Sequence, residues 1–167
     1  MKRSNFLILL TLVFASVSFV QCGSDSSKPP DPKDQQITAL SKNWYAKSVK
    51  LNGTDAPGYV GANPAASFQI KITGTTGNYG TIPYQTTNRP AGVQGPWPGS
   101  GNFSLGSNST FADFATVLTR KEDNLLISYS VTSTELQMTF NYTGSGFTGR
   151  TSVVQGNWSF TFAPVTP

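Results

Sequence analysis

The sequence predicts an all-β domain, an antiparallel up-and-down meander of about eight strands closed into a small barrel, with an open β-sandwich as the alternative. Three observations predict it. Apolar residues recur at every second position in one segment after another, the period of a strand with one buried face. Turn residues separate these segments at short, regular intervals. The composition, with 12% charged and 12% aromatic residues and 16 glycines among abundant Ser, Thr and Asn, suits strands and turns. Barrel closure is favoured because it removes the edge strands that an open sheet would expose.

The elements follow in order. A short helical turn is expected over residues 34–41, with Asp34 as its cap and Ile37 and Leu40 on one side. The first strand spans 44–51 and ends in Asn52-Gly53, a hairpin-turn dipeptide. Residues 67–73 alternate Phe68, Ile70 and Ile72 against Gln69, Lys71 and Thr73, and after a turn over 74–77 the chain returns over 78–85. Residues 86–100 read as a loop, because Pro90, Pro96 and Pro98 rule out a central strand. Short strands follow at 101–105 and 115–119, then a polar turn at 120–124.

Strands 125–131, 135–142 and 153–163 complete the set. Trp44, Ile127, Tyr129, Met138, Phe140, Trp158, Phe160 and Phe162 share the inward phase of their strands. An eight-stranded barrel is filled by side chains or holds one small ligand. Bulky residues at this density favour the filled interior.

The N-terminus sets the location. Lys2 and Arg3 precede an apolar run from Phe6 to Val20, which stops at Cys22, the sole cysteine. A positive n-region with an apolar core of roughly 7–15 residues is an export signal, shorter than the about 20 residues of a spanning helix. Cys22 followed by Gly23-Ser24-Asp25-Ser26-Ser27 resembles the acylation site of a bacterial lipoprotein, which implies cleavage before Cys22 and multiple acylation of that residue. An ordinary secretory signal cut near Ala15-Ser16-Val17-Ser18 is the other reading. It leaves an unpaired thiol in an oxidising compartment, a liability that acylation removes. The chain thus divides into a signal peptide (1–21), an acylated cysteine with a Pro/Ser tether (22–36) and the β-domain (37–167). The prolines Pro29, Pro30 and Pro32 make the tether a semi-rigid spacer.

Charge and residue usage exclude several functions. Of the net charge of +4, Lys2 and Arg3 leave with the signal, and no Lys/Arg run follows, so no nucleic-acid footprint is present. Histidine is absent, which with an acylated cysteine excludes zinc sites of the His/Cys type and Ser-His or thiol catalysis. No metal site or cofactor is expected.

Three segments resemble small lipocalin-like lipoproteins of Bacteroidetes that carry domain-of-unknown-function names. They are Leu40-Ser41-Lys42-Asn43-Trp44, the stretch from Trp97 to Phe103, and the ending from Gly149 to Phe160. The resemblance spans residues 37–163 and implies a lipocalin-like barrel attached to the outer membrane or cell surface, with no established activity.

The candidate sites are few. Glu122 and Asp123 are the only adjacent carboxylates, a pairing that could serve glycoside hydrolysis, but a solvated hairpin tip is the simpler reading. Trp97, set between Pro96 and Pro98 in the long loop, either offers a ring to a ligand or folds back over its own core. Arg89 and Tyr84 are its candidate partners in ligand contact, and Tyr59 and Tyr79 could line the same end. The sequence therefore predicts a non-enzymatic lipoprotein, anchored through Cys22. Its barrel-end loops would bind a small apolar or carbohydrate ligand or another envelope protein. The alternative is an accessory module with a filled core and no small ligand.

Overall fold

The computed structural model describes residues 29–90, 95–144 and 155–166. The signal segment, Cys22 and the predicted strand positions 153–154 lie outside them. One antiparallel sheet runs through the domain in chain order. β1 (Asn43–Leu51) pairs with β3 (Gln69–Ile72), and β4 (Ile82–Thr87), β5 (Ser100–Leu105), β6 (Val117–Arg120), β7 (Leu125–Val131), β8 (Leu136–Tyr142) and β9 (Gly156–Pro164) each add beside the strand before. β9 then pairs with β1, from Trp44↔Pro164 to Leu51↔Trp158, and closes eight strands into an up-and-down barrel. The closed barrel, not the open sandwich, is the arrangement adopted. Its register slips between Ala46 and Ser48, where one extra residue kinks β1.

A ninth strand, β2 (Thr54–Asp55), forms a two-residue hairpin with the end of β1. Asn52 and Gly53 turn the chain with φ of 51° and 82°, the pair of positive values that a type I′ turn requires and that Asn-Gly supplies cheaply.

Alternation decides what lies inside. In β8, Leu136, Met138, Phe140 and Tyr142 are buried while Gln137, Thr139 and Asn141 face water. In β9, Trp158, Phe160 and Phe162 turn inward. Phe160 stacks on Phe140 at 5.8 Å between ring centroids, on Trp158 at 5.6 Å and on Phe162 at 5.7 Å. Phe68 meets Phe160 and Phe162, and Trp97 from the β4–β5 connection meets Phe140 and Phe160 with Tyr84 and Phe103 on its other sides. Side chains fill the interior, as the density of inward aromatics predicted.

One barrel end is closed by α1 (Pro32–Leu40), which begins two residues before the expected helical turn. Asp31, not Asp34, is the cap: its carboxylate accepts from the Lys33 N–H at 2.9 Å. Pro32 occupies the first turn, where its missing N–H is no loss and its fixed φ suits a helix. Residues 32–36 therefore belong to the folded domain rather than to the tether. Ile37 and Leu40 are buried in the barrel mouth, and Trp44 Nε1 donates to the Leu40 carbonyl at 2.9 Å, pinning the helix end to β1. Tyr79 precedes β4 instead of lying in it, and donates to Asp34 of α1 at 3.0 Å. The opposite end carries the β1–β3, β4–β5, β6–β7 and β8–β9 connections, the first of which holds β2.

Candidate functional site at the loop end of the barrel

The connection between β4 and β5 is the segment to which the sequence assigns ligand contact. Thr86 and Thr87 extend β4 and Ser100 opens β5, so the loop is shorter than expected at both ends. Thr86 binds it back on itself: its N–H donates to the Gly99 carbonyl at 2.8 Å and its hydroxyl to the Pro98 carbonyl at 2.5 Å. Pro96, Trp97 and Pro98 are buried as a result. Trp97 is only 2% exposed and meets Tyr84, Phe103, Phe140 and Phe160 edge-on at 5.6–6.2 Å. The ring is not offered to solvent; it is the lid on its own core. Its Nε1 finds no hydrogen-bond partner among the described residues.

The lid is held by a residue that the sequence reading places elsewhere. Arg120 ends β6 instead of opening a polar turn, and it is fully buried. Its Nε and Nη2 donate to the two carboxylate oxygens of Asp123 at 2.9 and 2.6 Å, and its Nη1 donates to the Pro96 carbonyl at 2.5 Å. The guanidinium lies 5.2 Å from the Trp97 ring centroid and 5.7 Å from that of Tyr142. Such a cation over aromatic faces gains most where water is excluded. The sequence signal was present but slight: Arg120 is two residues beyond Leu118 and so shares its inward phase, with Asp123 three residues on.

Tyr84 is buried, with its ring stacked on Phe103 at 4.3 Å between centroids and its hydroxyl donating to Glu122 at 3.2 Å. Burial and then the Glu122 carboxylate push its phenol pKa well up, against the opposing pull of Arg120. The other Glu122 oxygen accepts the Asn102 N–H at 2.7 Å, beside Gly101, where any Cβ would collide with that carboxylate. Glu122 and Asp123 are thus not a free hairpin tip. One clamps β5, the other chelates Arg120. Arg89 is half-buried near Gly99. Tyr59 lies in the aromatic core against Phe68, Trp158 and Phe160, while Tyr79 is at the helix end.

The structure therefore brings Trp97 and Tyr84 together, the pair named as candidate ligand contacts, as interior packing. The adjacent carboxylates are each engaged by the fold, and no cluster of His, Cys, Asp and Glu able to hold a metal occurs among the described residues. The sequence matches no protein-family model and no curated protein, and no solved structure matches the fold.

Proposed function

We propose that this chain is a non-enzymatic envelope lipoprotein, held to a membrane through acylated Cys22, whose barrel is a filled accessory module that works by its outer surface and not by enclosing a ligand. The observation that carries this reading is Trp97 folded into the loop-end mouth and secured by Arg120. The space in which a barrel of this size would hold a small molecule is taken by the protein's own indole. The engagement of Glu122 and Asp123 within the fold supports a non-catalytic role. The signal, the lone cysteine and the following polar tether support anchoring, and the resemblance to lipocalin-like lipoproteins of the outer membrane agrees with it.

Two measurements test the reading. Alkynyl fatty acid fed to cells should label the wild type and not Cys22→Ser; equal labelling removes the anchor. Native mass spectrometry of the lipoprotein released from its envelope should give polypeptide plus acyl groups alone. A retained small molecule would restore the ligand-binding alternative.

A further inference from the structure

We infer that the helix end of the barrel is a membrane-contact surface, formed by α1 and the β5–β6 connection, and that its occupant is the lipid bilayer to which Cys22 is anchored. The inference rests on the proposed acylation and adds a defined face to it.

The length and exit point of the chain come first. Only seven residues separate Cys22 from Pro30, a span of at most about 29 Å even when fully extended. The chain enters the domain at Pro30–Pro32, on the outer side of the helix that closes one mouth. An anchor on so short a leash keeps this end near the lipid headgroups and presents the Trp97 end away from them.

What the chain displays there fits a headgroup interface. Residues 106–116 connect β5 to β6 beside the helix, joined to it where Gln36 Nε2 donates to the Ala115 carbonyl at 3.1 Å. Phe111 and Phe114 in this connection are half-buried. Lys33 of α1 places its ammonium 5.7 Å from the Phe114 ring centroid and 5.5 Å from that of Tyr79. Half-buried aromatics beside a lysine suit the headgroup zone, where one side of the group is apolar and the other wet. Along the outer side of the helix, Pro30, Asp34, Thr38, Ala39, Lys42 and Ser133 line an open groove of about 670 Å³, with both a carboxylate and an ammonium on it.

Phe111 adds an independent sign. Its φ is +54°, a left-handed value that a bulky residue rarely adopts and that Asn tolerates far better. Backbone strain of this kind persists at functional positions more often than elsewhere. A phenylalanine kept where asparagine would fit more easily points to its ring being needed. Within the fold that ring meets Tyr79 at 5.8 Å.

The test uses the full acylated lipoprotein in phosphatidylethanolamine–phosphatidylglycerol vesicles. With Cys22 acylated, a second cysteine is the only free thiol. It is placed at Ala112 in the β5–β6 connection or at Ala62 at the loop end, both exposed, and labelled with nitrobenzoxadiazole. The label at Ala112→Cys should shift to the blue on vesicle binding and resist aqueous iodide, whereas that at Ala62→Cys should stay fully quenchable. Adding Phe111→Asn should abolish the shift with little change in melting temperature, because relief of the backbone offsets the lost contact with Tyr79. Floated, acylated protein with both labels equally quenchable overturns the surface while the anchor stands. So does a Phe111→Asn variant that melts lower and keeps the shift. Protein that does not float and carries no acyl mass on Cys22 overturns the anchor, and the surface with it.

Discussion

Arg120 is a cation in the dry interior of a small barrel, and its energetics are lopsided. Taking a guanidinium out of water costs several kcal/mol, which the chelating Asp123, the Pro96 carbonyl and two aromatic faces offset. The two ends of the ion pair are unequal, since the Arg120 side chain is 0% exposed and that of Asp123 is 30% exposed. Asp123→Ala removes the carboxylate and leaves the charge buried, and should cost about 3 kcal/mol in urea unfolding. Arg120→Met removes the charge itself, and should cost about 1–2 kcal/mol, mostly for the Pro96 carbonyl left without its donor. The ranking is the test. If Arg120→Met were the worse variant, the guanidinium would be contributing more than it costs to bury.

Among the elements, strands were legible because burial repeats with period two, and the repeat is a local property. Phe160 is 1% exposed and its neighbour Thr161 is half-buried toward the other face. Phe160→Asp should abolish the thermal transition, since an unpaired interior carboxylate costs several kcal/mol, about the whole stability of a small domain. Thr161→Asp should melt within a few degrees of the wild type; similar losses at both sites would mean that the register of β9 is wrong. The helix start and the fate of the long loop were less legible. Asp31 and Asp34 are both plausible caps by residue type, and Pro32, whose fixed φ suits the first turn of a helix as well as it suits a tether, marks the earlier one. Trp97 posed a harder problem. Nothing local tells a ring on a proline-stiffened loop from a ring tucked beneath it, because the answer depends on Arg120, twenty-three residues later and three strands' geometry away. The turn at 120–124 misled for the same reason: its polarity is real, but two of its carboxylates are spent on contacts with β5 and β6.

At the scale of the whole molecule, tyrosines at both ends of the barrel couple its stability to alkaline pH. Desolvation first, then the hydrogen bond to Asp34 and the charges of Asp31 and Asp34, push the Tyr79 phenol from 10 up to about 12. Burial drives Tyr84 and Tyr129 upward as well. The folded protein therefore holds these protons more tightly than the unfolded chain does. The corresponding stability is fully present below about pH 10 and is lost as the pH rises through the folded values. Melting temperature should fall steeply from pH 10 to 12, and Tyr79→Phe should make that fall shallower. A variant that tracks the wild type across the range would show that this phenol titrates normally in the fold.

The pairing of β1 with both β3 and β9 has a mechanical side. If the chain is tethered through Cys22 as proposed, a pull from the membrane enters through α1 and is delivered to the start of β1, while a load taken up by the loop end acts on the far ends of the strands. Tension then runs roughly along the strands, within their tilt, so the β1–β9 ladder is loaded in shear, with many of its bonds sharing the force at once. A hairpin pulled at its open end unzips one bond at a time. Hung by its helix, this barrel resists traction along the direction in which its strands are strongest.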